Sequence, residues 1–97
     1  MDFTIFGRFR AREGQADAVA AAIAEVVPAT RAEPDCRMIE AHRSVQDPRL
    51  FFIHSRWPDE AAFERHAALP HTVAFLVRVQ PLIDHPLDVA RARPLGD

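Results

Sequence analysis

The 97-residue sequence contains no lysine and no tyrosine, a single cysteine, three glycines and no long hydrophobic run. The lone Cys36 excludes an intrachain disulfide as the basis of the fold. Three scattered glycines leave no glycine-rich loop for a phosphate. Because no segment approaches the roughly 18 apolar residues of a membrane span, and no basic stretch precedes an apolar one, we expect a cytoplasmic protein with no membrane partner.

The charges are nearly balanced, with twelve basic against fourteen acidic residues and a formal net charge of -2. This balance lacks the basic excess typical of nucleic-acid binding, so no nucleic-acid partner is expected. A hydrophobic fraction of 48% is ordinary for a globular chain. The length predicts one domain over residues 1–97, and a core this small favours self-association as a homodimer.

The pattern of apolar residues predicts a β-α-β-β-α-β order. Period-two alternation predicts strands over residues 3–10, 36–44, 50–57 and 87–91. Alanine-rich or helically periodic segments predict helices over residues 15–31 and 61–79. We expect a kink or break at Pro28, an interruption at Pro70, and a buried stripe of Val73, Leu76 and Val77 after it.

This order predicts an α+β domain of ferredoxin-like topology, an antiparallel sheet with helices on one face. Apolar side chains occur on both faces of the predicted strands, including Phe6 and Met38 among polar residues. Two such sheets packed face to face would cover them, which again favours a homodimer.

Several segments together resemble the antibiotic biosynthesis monooxygenase family. They are residues 8–14 at the first strand and turn, 30–36 after the first helix, 42–48 in the hairpin, 56–63 at the next helix start and 66–71 around its break. The resemblance implies a dimeric α/β barrel with a pocket between each subunit's sheet and helices. It further implies, for some members, oxidation of phenols or quinols by O₂ without metal or flavin.

The chain departs from the family pattern at three places. Asp35 stands where the family usually has glycine, and His54-Ser55 replaces a Tyr-Glu pair before the tryptophan. Haem-degrading relatives carry a histidine ligand about one turn beyond His71, where this chain has only apolar residues. Haem degradation is therefore disfavoured, and no haem, flavin or metal is expected to copurify.

His66 and His71 are the candidate catalytic residues. A histidine can remove a phenolic proton near neutral pH, and a residue at the Pro70 break is well placed to face a pocket. His71 is the preferred base and His66 the comparison, so His71→Ala is the variant expected to lower turnover. The structural alternative is capping and packing at the helix break. Two histidines around a proline match no standard zinc spacing, so no metal site is predicted.

Four further residues are candidates for substrate binding. Trp57 could stack on an aromatic ligand, as the family position implies, or simply pack in the core. Phe75 is expected in the core beside the ligand. Arg56 could stabilise a phenolate or peroxide, or form interface ion pairs. His54 could lie in the pocket or at the dimer interface.

Two functions stay open at this stage. The first is a cofactor-independent monooxygenase acting with O₂ on a phenolic, quinol or anthrone-like small molecule. The second is a non-catalytic dimeric module that binds an aromatic metabolite or acts in stress response. The absence of tyrosine and the serine before Trp57 lean towards the second.

Overall fold

The fold is an antiparallel sheet with helices packed against one face. The computed structural model describes residues 2–96, which form β1 (Phe3–Arg10), α1 (Ala16–Arg31), β2 (Met38–Arg43), β3 (Leu50–Trp57), α2 (Glu60–Ala67), α3 (Pro70–Val79), a 3-10 turn (Gln80–Leu82) and β4 (Asp88–Ala92). The strand order is β2-β3-β1-β4, and every neighbouring pair is antiparallel. Among these residues, no helix is both long and apolar enough to cross a membrane. The predicted ferredoxin-like βαββαβ arrangement is confirmed.

Alternation along the two central strands decides which side chains form the core. In β1, Phe3, Ile5 and Phe9 are buried beneath the helices, whereas Phe6 points to the opposite face and is 50% exposed. β3 repeats the pattern, with Phe51 buried on the helix side. Each large apolar side chain buried in this way stabilises the fold by about 1.5–3 kcal/mol. One face of the sheet is therefore covered by the helices and is called the sealed face below. The other face is exposed and is called the open face.

α1 continues through Pro28 to Arg31, so the predicted break there is wrong. Pro28 lies in the last turn of the helix, where a missing N–H removes one hydrogen bond near the end rather than in the middle. Val26 and Val27 are buried on the core side of this turn, and the Thr30 hydroxyl donates to the Val26 carbonyl at 2.8 Å. Packing against the sheet outweighs the lost bond.

The predicted interruption at Pro70 is confirmed. Of the predicted stripe after it, Leu76 packs against the core, whereas Val73 and Val77 do not. Pro70 begins α3, a position where its missing N–H has no helical partner to lose. Val73 is 46% exposed and Val77 is 67% exposed. The face of α3 that packs inwards consists of Thr72, Phe75 and Val79. Both stripes fit a helical period, and packing of α3 against the rest of the chain decides which one is buried.

Gly7 lies in an unbroken ladder, paired with Ile53 on one side and Val89 on the other. The strand therefore has no bulge at this glycine. A Cβ at this position would stand 3.0 Å from the ring of Phe9. Glycine therefore leaves room for that ring and opens space between the sheet and the helices.

Candidate functional site

A cavity of about 290 Å³ lies between the sealed face of the sheet and the helices. Its walls are mainly apolar and include Phe9, Ile53 and Phe75. The polar groups on its lining are Thr30, Ser55, His66, Thr72 and Arg91. This volume is near the lower end of the range for small-molecule sites, and an apolar lining with few polar groups is their usual composition.

His66 reaches this cavity from the last turn of α2. The helix starts at Asp59, whose side-chain oxygen accepts from the Ala62 N–H at 2.8 Å. The imidazole of His66 packs on the indole of Trp57, with ring centroids 4.5 Å apart. The ring is thus held between the core and the cavity.

Glu33 links the two candidate histidines through one carboxylate oxygen. Its Oε2 lies 2.8 Å from Nδ1 of His66 and 2.6 Å from Nε2 of His71. The Glu33 and His66 side chains are only 10% and 11% exposed. For an ionised Glu33 to accept both bonds, His66 must carry its proton on Nδ1, with the Thr72 hydroxyl 3.3 Å away.

Nε2, the second ring nitrogen of His66, then holds a lone pair. Among residues 2–96, its only ring nitrogen with a hydrogen-bond partner is Nδ1. No buried side-chain nitrogen or oxygen in this part of the chain lacks a partner. Nε2 is therefore not fully buried, and His66 lines the cavity. A carboxylate that fixes the tautomer of a histidine whose other nitrogen is free is the arrangement of a general base.

His71 lies behind this pair and not on the cavity wall. Its side chain is 31% exposed and borders a separate hollow of about 200 Å³ beside Glu25 and Arg78. The rings of His66 and His71 are 6.2 Å apart, and Glu33 bridges them. The structure therefore brings the two predicted histidines together but gives His66, not the preferred His71, access to the cavity.

Trp57 and Phe75 lie close to the cavity in different ways. Trp57 is fully buried beside the cavity lining, and its Nε1–H donates to the Ser55 hydroxyl at 3.0 Å. It contacts the ring of His66 instead of open space. Phe75 lines the cavity and packs edge-on against Phe9, with centroids 5.7 Å apart.

Arg56 and His54 lie on the opposite face of the sheet. His54 stacks on Phe6, with centroids 4.6 Å apart and nearly parallel rings. The guanidinium of Arg56 is half-exposed and 4.0 Å from the Asp2 carboxylate. Both occupy the positions of β3 that alternate away from the helices, so neither can contact a ligand in this cavity.

Sequence reasoning missed Glu33 and Arg91. Glu33 carries no local signal beyond its place in the segment 30–36 that resembles the family. Arg91 stands on β4 at the cavity lining and pairs with Glu60 at 2.7 Å and with Glu64 on α2. The hydrogen bonds that Arg91 donates to Glu64 and then to Glu60 raise the pKa of Arg91. This ion-pair group joins the last strand to α2 beside the cavity.

Cys36 is a partly buried side chain and not a nucleophile. Burial first, and then the negative charge of Glu33, raise the pKa of its thiol. A protonated thiol is a poor nucleophile near neutral pH. Cys36 packs against the core as a partly buried side chain.

The model of the antibiotic biosynthesis monooxygenase family matches residues 2–78. The chain belongs to this family. Rv0793 of Mycobacterium tuberculosis, described as a candidate monooxygenase, is 26% identical over 93 residues, covering 96% of this chain and 91% of its own.

Solved structures of family members and other proteins share this fold. The structure of Rv0793 superposes with a TM-score of 0.93 at 24% identity, covering 100% of this chain and 98% of that one. PA3566 of Pseudomonas aeruginosa gives a TM-score of 0.90 at 26% identity, covering 98% and 95%. The arrangement of the sheet and the helices is therefore shared with these structures.

Proposed function

We propose that this chain is a monooxygenase that oxidises a phenolic, quinol or anthrone-like small molecule with O₂, using His66 as the base. The observation that carries the proposal is the His66–Glu33 pair at the wall of an apolar cavity. Membership of a monooxygenase family supports the same reaction class.

The reaction begins with transfer of a substrate proton to Nε2 of His66. Glu33 stabilises the resulting imidazolium through Nδ1–H. The substrate anion then passes electrons to O₂. For an anthrone, the CH₂ group becomes a carbonyl, one oxygen atom enters the product and the other leaves as water. The substrate supplies all four electrons, and the apolar cavity keeps bulk water from the anion.

Oxygen uptake with a panel of hydroquinones and anthrones tests this proposal. His66→Ala should lower turnover by about 10²-fold or more, the usual scale for a lost general base. His71→Ala should lower it less, because His71 acts on the reaction only through Glu33. The matched control is His54→Ala, since His54 lies on the other face of the sheet and should leave turnover unchanged. Turnover that survives in His66→Ala would remove this residue from the chemistry.

A second candidate is a non-catalytic module that binds an aromatic metabolite in the same cavity. The aromatic and aliphatic lining favours it, with Phe9, Phe63 and Phe75 on the walls. Titration of the tryptophan fluorescence with the same panel distinguishes the two. Saturable binding without oxygen uptake for any compound would favour the binding module.

The open face of the sheet supports a homodimer. Phe6 and Phe52 stand on this face with 50% and 40% of their surface exposed, beside the ring of His54. Exposed aromatic side chains grouped in this way are typical of an interface. A second copy of the same chain would cover them, and an obligate interface of this kind buries on the order of 2,000 Å² or more.

A further inference from the structure

Glu33, His66 and His71 converge from three separate segments of the chain. Glu33 follows α1, His66 ends α2 and His71 begins α3. One ligand atom from each of the three lies within 4.8 Å of the other two. Two imidazole nitrogens and one carboxylate are also the protein ligands of a well-known class of zinc sites with an open position.

The three ligand atoms are close enough together to reach one small divalent ion. Metal–ligand bonds of about 2.0–2.1 Å place neighbouring ligand atoms about 2.9 Å apart at right angles and about 3.3 Å apart in a tetrahedron. The two nitrogens now stand 2.6 and 2.8 Å from the same Glu33 oxygen. The two nitrogens lie within 4.8 Å of each other, so the carboxylate has to withdraw and the two rings have to close on the ion for all three bonds to form.

Burial and exposure also suit an ion. Glu33 and His66 are almost enclosed, so their ligand atoms are shielded from competing water. His71 is 31% exposed, which leaves a route for the ion and room for a water ligand. One negative charge and two neutral imidazoles favour a transition metal of the zinc type over calcium or magnesium, which prefer oxygen ligands.

We propose that Glu33, His66 and His71 bind a divalent transition-metal ion of the zinc type, and that this binding reverses the hydrogen-bonding character of His66 in the cavity. Without metal, Nδ1 of His66 carries the proton and Nε2 is an acceptor. To bind the ion, Nδ1 of His66 and Nε2 of His71 each give up the proton that they donate to Glu33. The opposite nitrogen of each ring takes a proton, so both rings stay neutral. Nε2 of His66 then becomes a donor towards the cavity.

The metal-bound protein therefore cannot use His66 as a base. A donor at Nε2 can bind an oxyanion but cannot accept a substrate proton. Zinc bound by Glu33, His66 and His71 should therefore inhibit oxidation of the substrate. Only this consequence rests on the proposed function; the binding site and the tautomer change do not.

Calorimetric titration of the purified protein with zinc chloride tests the site. Wild type should bind one ion per chain with micromolar or tighter affinity. Glu33→Gln and His71→Ala should each weaken binding by about 10–100-fold or more. His71→Ala changes a partly exposed side chain, so it remains informative if Glu33→Gln folds poorly. His42→Ala is the matched control, because His42 forms an exposed pair with Glu40 and should leave binding unchanged.

Nitrogen-15 NMR of the histidine rings tests the reversal. The signals of His66 should show a proton on Nδ1 without metal and on Nε2 with one equivalent of zinc. No binding, equal binding by all variants, or stoichiometric binding without this tautomer change would each overturn the proposal. If zinc binds as expected but His66→Ala leaves oxygen uptake unchanged, the proposed function fails and the metal site stands.

Discussion

Replacing Glu33 with glutamine should lower the free energy of unfolding by about 2 kcal/mol at neutral pH. The Glu33 oxygen accepts two hydrogen bonds in a nearly enclosed place. A bond to a charged group contributes about 1.5–3 kcal/mol and a neutral one about 0.5–1.5 kcal/mol. Glutamine keeps an acceptor of the same shape but removes the charge from both bonds, at about 1 kcal/mol each.

Glu33→Ala should cost more, about 3–5 kcal/mol, because it leaves two imidazole donors without an acceptor. Of these, His66 is 11% exposed and has little access to water. The two variants together separate the contribution of the charge from that of the hydrogen bonds.

Urea unfolding followed by fluorescence measures both changes. Trp57 is the only tryptophan and lies against His66, so its emission reports on this region. For a domain of this size, the free energy of unfolding falls by about 1 kcal/mol per molar urea. A loss of about 2 kcal/mol in Glu33→Gln should therefore lower the urea midpoint by about 2 M. Protein concentration must be held constant, because a dimer unfolds at a concentration-dependent midpoint.

The control is Glu40→Gln, which removes the charge from an exposed pair with His42. Exposed pairs contribute at most about 1 kcal/mol, so the midpoint should move by much less than in the Glu33 variant. Equal shifts of the midpoint in Glu33→Gln and Glu40→Gln, or no shift in either, would refute the view that Glu33 holds His66 and His71 in place.

Three further outcomes are expected. The backbone N–H of Arg49 and then the guanidinium of Arg10 lower the pKa of Asp47. The Asp47 carboxylate therefore stabilises the fold fully above the unfolded pKa of an aspartate, near 4, and this stabilisation is lost as the pH falls through the lower folded pKa. In Arg10→Gln, the free energy of unfolding should depend less steeply on pH in this range. Sedimentation should show a dimer at micromolar concentration that Phe6→Arg or Phe52→Arg converts to monomer; a wild-type monomer would contradict the interface. Absorption spectra of the purified protein should contain no Soret or flavin band, and a stoichiometric band of either kind would contradict the expected absence of these cofactors.

The sequence by itself determined the order and type of the elements. Residues 3–10 and 50–57 alternate strictly enough to give the bounds of β1 and β3, and the alanine-rich segment gives α1 to within a residue. Pro70 marked the start of a new helix correctly because its effect is local. These features depend on residues that are only a few positions apart in the chain, so the sequence pattern is sufficient to predict them.

The tertiary structure decided what lies at the site. Glu33 is separated from His66 by 33 positions and from His71 by 38, and no local pattern connects them. The exposed Val73 and Val77 show the same limit, since the period of a helix does not say which face meets the core. Which histidine reaches the cavity depended on the direction in which α2 ends and α3 begins. Such directions follow from packing of the whole chain, because contacts between distant segments set them and no short segment contains both partners.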